Sequence, residues 1–348
     1  MAARGAKREA ILIAMCFAFL ACAVRSAPPI PASSVPPAAK SHVLVIQEGS
    51  FDIALAEAKR RGVPLVLDAW ASWCEPCRAM RASLFPDPLL ASVADGYVWV
   101  AVDRDSKEGK TVAARFKIVP LPTLLVIDSE TEMPLLRRVG TLSAPELVNL
   151  LDVAGSKARV PVSVTEAEFV RAVRAEADGG DGADARALPD YERVLRDAPR
   201  AWPLRAFAAK KVVDARQRAR DLAGCVELAR AETLDVVPSS ELASVLATAI
   251  DCAASAKRQD DVKRFAESLA QIARDDRVPM IPADRAFSFG ALVGASRDVG
   301  DEAAAARNKV EWLAEVVRLR DRARSEAERA SLAGSLRRAS SSASADSD

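Results

Sequence analysis

Residues 68–78 read Asp68-Ala-Trp70-Ala-Ser-Trp73-Cys74-Glu75-Pro76-Cys77-Arg78, and the two cysteines decide how the rest is read. Before them stands Val63–Ala69 (VPLVLDA), an apolar run of strand length, and Cys74–Leu90 reads as the helix that follows. The pair therefore falls at a strand-to-helix junction. There the unsatisfied N–H groups and the positive end of the helix dipole face the first cysteine and favour its thiolate. Cys77 lies one turn further on, near enough to attack a mixed disulfide formed at Cys74. Pro76 limits the loop and suits the first helical turn, where a missing N–H leaves no gap. Zinc binding is the other common use of Cys-x-x-Cys. No second cysteine pair lies nearby, and the one histidine of the chain is His42, so the metal reading is set aside.

Outward from this stretch, residues 42–155 alternate between strand and helix patterns. His42–Ile46 is β-prone. Phe51–Arg61 places Phe51, Ala54, Leu55 and Ala58 on one face, as a helix does. Tyr97–Val102 reads as a buried strand and Lys107–Phe116 as a helix. Thr123–Ile127 and Leu136–Val139 read as a strand and its hairpin partner. Ser143-Ala-Pro-Glu146 is a capping box that opens a last helix, expected to end near Leu151. Gly109-Lys110-Thr111 has the look of a phosphate loop, but Arg104 stands where the first glycine is required.

With those elements in place, the chain resembles the thioredoxin family over residues 42–152. The run from Asp68 to Cys77 matches the family at its Asp, both Trp, both Cys and the Pro, and Leu121-Pro122-Thr123, some 45 residues later, matches the cis-proline segment. Val139-Gly140 matches the glycine of the terminal hairpin. The resemblance implies an α/β thioredoxin fold and dithiol exchange: Cys74 attacks, Cys77 resolves, and Asp68 accepts a proton. Trp73, Pro76, Leu121 and Pro122 then become candidates for the surface that meets substrate. No metal or organic cofactor is implied, so the partners are protein thiols or disulfides and an electron-donating redox protein. Two departures from the pattern matter. The dipeptide between the cysteines is Glu75-Pro76, not the Gly-Pro of the thioredoxins, and a carboxylate there should tilt the couple toward the reducing side. Glu-Pro is similar to the extracytoplasmic reductases of cytochrome maturation, whose longer insertion this chain lacks. The family's strand lysine aligns with Trp99, which leaves Asp68 buried without a cation and should raise its pKa. Leu84-Phe85-Pro86-Asp87-Pro88 is similar to the C-terminal domain of transmembrane disulfide reductases.

The remaining sequence frames this domain. Residues 1–27 read as a signal peptide or lipoprotein signal, with Arg4, Lys7 and Arg8 before the apolar run Ala10–Val24. That run falls short of the ~20 residues a membrane span needs. Phe19-Leu20-Ala21-Cys22 is an imperfect lipobox, so the expectation is export, to the periplasm or the outer face of the membrane, with Cys22 as a candidate tether. Residues 28–41 are a Pro/Ala/Ser linker. Residues 156–336 read as all helix, and new helices open near Arg220-Asp221, Gln259-Asp260 and Gly300-Asp301, 39 and 41 residues apart. That period suits tetratricopeptide-like hairpins, with an irregular bundle as the alternative. Cys225 and Cys252 fall in predicted helices, as a disulfide between neighbouring helices or as two buried thiols. Residues 337–348 read as a disordered tail. With 49 basic and 48 acidic residues, net +1, the chain is not a nucleic-acid binder by charge. A single histidine argues against Ser-His-Asp chemistry. The competing functional class is a binding or chaperone-like protein, in which the thioredoxin fold is one recognition surface and the helices hold partners.

Overall fold

The computed structural model describes Leu44 and residues 46–322. The signal, linker and tail readings, with Cys22 and His42, lie outside the described residues. The first part runs β1 (Gln47–Glu48), α1 (Phe51–Arg61), β2 (Leu65–Trp70), α2 (Glu75–Leu84), α3 (Pro88–Ala91), β3 (Val98–Asp103), α4 (Lys107–Arg115), β4 (Thr123–Ile127), β5 (Pro134–Val139) and α5 (Ala144–Ala154). The sheet order is β1-β3-β2-β4-β5. β1, β3 and β2 are parallel, and β4 and β5 are antiparallel. This is the mixed α/β sheet that the resemblance implies.

Alternation along β2 sorts the two faces. Leu65, Leu67 and Ala69 meet Phe51, Leu55, Val112 and Phe116 of α1 and α4 with its flank. Val66 and its neighbours meet Met80 and Leu84 of α2 and Leu147, Leu150 and Leu151 of α5. Sandwiched on both faces, the central strands can be nearly continuous in apolar residues.

Three boundaries differ from the sequence reading. The first strand forms at Gln47–Glu48, after the β-prone run, because that is where the chain pairs with Val100 and Ala101. The helix expected over Cys74–Leu90 is two helices: Pro86 and Pro88 interrupt it, and Asp87 caps α3 by accepting from the Leu89 N–H at 2.9 Å. α5 continues to Ala154. Gly109, the residue of the discarded phosphate-loop reading, has a packing reason. A Cβ there would stand 1.9 Å from the Asp103 carbonyl oxygen.

The second part is all helix: α6 (Val164–Ala177), α7 (Ala183–Asp197), α8 (Arg205–Arg218), α9 (Leu222–Glu232), α10 (Ser240–Ser255), α11 (Gln259–Arg274), α12 (Pro282–Asp298) and α13 (Glu302–Arg322). The weak repeat of the sequence has a structural counterpart. α8, α10 and α12 each end in one left-handed residue, Arg220, Lys257 or Gly300. In each case that residue and the next donate to carbonyls three and five positions back, such as Arg220 to Gln217 and Asp221 to Arg216. The same turn thus joins α8 to α9, α10 to α11 and α12 to α13. Cys225 of α9 and Cys252 of α10 are buried and disulfide-bonded, with Cα atoms 6.3 Å apart.

The two parts share one core. α6 packs on the edge strand β5 and α12 on α2. Leu136 and Leu147 belong to the same apolar cluster as Phe169, Tyr191 and Phe207. Arg137 of β5 is buried and donates to the last carbonyl of α6, Ala177, at 3.1 Å.

Candidate active site

Cys74 is the N-cap of α2 and Cys77 its third residue. The two are disulfide-bonded with Cα atoms 5.3 Å apart, and the Cys77 N–H donates to Cys74 Sγ at 3.3 Å. Cys77 is fully buried and Cys74 is 4% exposed. Helix-start geometry aims backbone donors at Cys74, the arrangement that stabilises a thiolate once the bond is opened. The disulfide packs with Ala71 against Trp70 and Leu121.

Facing it is the segment Val119–Pro122, and the Leu121–Pro122 peptide is cis. Three hydrogen bonds pin this ridge. Arg104 donates to the Val119 carbonyl at 2.8 Å, the Thr123 hydroxyl to Pro120 at 2.7 Å, and the Gly140 N–H to Pro122 at 2.9 Å. Gly140 does so with φ +90°, a backbone state that L side chains rarely adopt. Leu121 is half-buried and Pro122 buried, whereas Val119 is exposed. Trp73 is 59% exposed, and its indole N–H is tied to Asp105 at 2.6 Å. The sequence-derived candidates Cys74, Cys77, Leu121 and Pro122 are thus brought together. Pro76 follows Cys74 within the first turn of α2, and Trp73 stands just before that helix.

Asp68 lies on β2, buried, with neither carboxylate oxygen hydrogen-bonded among the described residues. Burial pushes its pKa up to about 7; Arg81 opposes the rise and Glu48 adds to it. Here the expectation of a carboxylate without a cation is corrected. Arg81 Nε of α2 is 3.8 Å from Asp68 Oδ2. Trp99 sits in the core instead, donating its indole N–H to the Ala94 carbonyl at 3.2 Å. Sequence reasoning missed Arg81, although its position four residues after Cys77 puts the two on one face of α2. It also missed Arg104 and Asp105, which no local pattern connects to the cysteines.

A family model described as Thioredoxin-like matches residues 46–129. The chain is 34% identical over 98 residues to the Thiol:disulfide interchange protein DsbD of Cronobacter sakazakii, covering 27% of this chain and 17% of that protein. It is 36% identical over 85 residues to Thioredoxin H-type of Oryza sativa subsp. indica, covering 24% and 63%. It is 29% identical over 112 residues to the Thioredoxin of Haemophilus influenzae, covering 32% and 96%. The chain spans only 14 to 17% of the length of three DsbD proteins it matches. No helix among the described residues is long and apolar enough to cross a membrane.

Proposed function

We propose, taking residues 46–129 as a thioredoxin-like domain, that the chain is an extracytoplasmic thiol–disulfide oxidoreductase that reduces disulfides in other proteins. The observation that carries this reading is the Cys74–Cys77 disulfide at the start of α2, packed against Leu121 beside the cis-Pro122 ridge. In the reducing direction the Cys74 thiolate attacks a substrate disulfide. A mixed disulfide forms, and one substrate thiolate leaves. Cys77 then gives its proton to Asp68, and its thiolate attacks Cys74 Sγ. That step closes the Cys74–Cys77 bond and releases the second substrate thiolate. Two electrons pass from the dithiol to the substrate, and a separate redox protein must return them.

The pinned ridge at Leu121–Pro122 would hold an extended substrate chain, with the exposed faces of Trp73 and Val119 as flanking contacts. Glu75 and Pro76 between the cysteines favour the reducing direction, and the signal-like N-terminus favours export. In this reading the helical part would select partners. α12 packs on α2, and Asp284 of α12 accepts from Thr141, the residue after Gly140. Cys225–Cys252 would then be a structural bond that fixes α9 to α10. In an insulin-reduction assay the wild type should turn over. Cys74→Ser should abolish turnover, and Cys77→Ser should accumulate the mixed disulfide. An inactive wild type would point instead to a binding protein. A redox potential well above about −200 mV would point to an oxidase or isomerase.

A further inference from the structure

The cation beside Asp68 comes from the helix that carries the cysteines, not from a neighbouring strand. Arg81 stands one turn beyond Cys77 on α2 and is held on three sides. Its Nη2 is ion-paired with Glu48 of β1. Its guanidinium lies 4.2 Å from the centroid of the Trp70 ring. Its Nε lies 3.8 Å from Asp68 Oδ2, too far for a hydrogen bond and near enough for strong attraction in a buried setting. One guanidinium is therefore shared by a buried carboxylate and a surface carboxylate. Across the sheet Asp68 meets Ala101 of β3 and Leu124 of β4, which carry no charge. The charged groups acting on it are Arg81 from α2 and Glu48 from β1, and Cys77, four residues before Arg81, lies on the same face of α2.

We propose that Arg81 is a positioning residue for dithiol exchange: braced by Trp70 and shared with Glu48, it sets how readily Asp68 takes the proton of Cys77. This rests on the oxidoreductase reading above. In the resolving step the Cys77 S–H bond breaks and an O–H bond forms on Asp68. The electron pair left on sulfur attacks Cys74 Sγ and expels the substrate thiolate, so the substrate disulfide is the oxidant. A carboxylate held ionised by Arg81 takes that proton at lower pH. Glu48 works against this by drawing the guanidinium charge outward.

The test uses the full chain as wild type, Arg81→Gln, Arg81→Lys and Glu48→Gln, with folding checked by circular dichroism. The Asp68 carboxyl is titrated by NMR in the oxidised protein, where the cysteines do not titrate. Arg81→Gln should move the Asp68 midpoint upward by about one pH unit, Glu48→Gln should move it downward, and Arg81→Lys should stay between wild type and Arg81→Gln. The pH profile of insulin reduction should shift in the same order. Midpoints that stay put, or that move the same way in Arg81→Gln and Glu48→Gln, overturn the proposal. If the wild type reduces insulin but the variant profiles ignore the titrations, it is also overturned. If the wild type is inactive, the oxidoreductase reading fails, and the titrations decide the hold of Arg81 on Asp68 by themselves.

Discussion

At the scale of single residues, Asp68 carries a free-energy cost that follows from its burial. A buried carboxylate without hydrogen-bond donors destabilises the fold whenever it is ionised. Burial lifts its pKa from the ordinary 3.8 of an aspartate to about 7 in the folded state. The neutral form is therefore favoured in the folded state. Stability from this group is complete below about pH 4 and is lost as pH rises through about 7. Asp68→Asn should remove that loss. Urea denaturation should find the variant more stable than wild type at pH 8, by at most about 4 kcal/mol, with the difference vanishing below about pH 4. Equal stability of the two proteins at pH 8 would mean that Asp68 is not desolvated as described. On the proposed mechanism, the same variant should resolve mixed disulfides more slowly, because it lacks the acceptor assigned to the Cys77 proton. Asp68 and the cysteines were legible because they fall in one short run of sequence. Arg81 was not, because the family pattern directs attention to Trp99, on another strand.

At the scale of elements, arginines close the helix ends that the hairpins bury. Arg205, at the start of α8, is 3% exposed. It donates to the Leu195 carbonyl at 2.6 Å and to Ala198, at the end of α7. It also forms a two-point pair with Glu232 at the end of α9, at 2.8 and 2.9 Å. Arg285 of α12 does similar work, donating to Ala273 of α11 and to Val278. Cations satisfy the orphan carbonyls and oppose the negative helix ends. Arg205→Met should cost about 3 kcal/mol in urea denaturation, because among the described residues Glu232 is left buried with Arg200 alone at 3.3 Å. A loss under about 1 kcal/mol would show that water replaces the arginine there. The helices themselves were readable from composition and from the openings near Arg220-Asp221, Gln259-Asp260 and Gly300-Asp301. The αL turns at Arg220 and Lys257 were not, since neither is a glycine.

At the scale of the whole molecule, one carboxylate joins the two parts. Glu146 was recognised as the far half of a capping box, and it does accept from Ser143 N at 2.7 Å and Ser143 Oγ at 2.8 Å. It also accepts from Ser240 Oγ and, at 2.9 Å, from the Glu241 N–H, at the first turn of α10. A single side chain thereby caps α5 of the α/β part and α10 of the helical part. Arg138 pairs with Glu241 at 2.6 Å beside it, and desolvation pushes the pKa of the half-buried Asp284 up to about 7. The local half of this device has a spacing signature; the distant half, 94 residues on, has none, which is why the sequence suggested two separable domains with no visible join. Glu146→Ala should strip acceptors from two helix starts and two buried hydroxyls at once, costing about 3 kcal/mol. The loss should be shared. Amide hydrogen exchange should speed up together at Leu147 in α5 and Leu242 in α10, because opening either helix removes the cap of the other. Faster exchange confined to α5 would mean that Glu146 is a local cap only, and that the continuous apolar core carries the coupling between the parts without it.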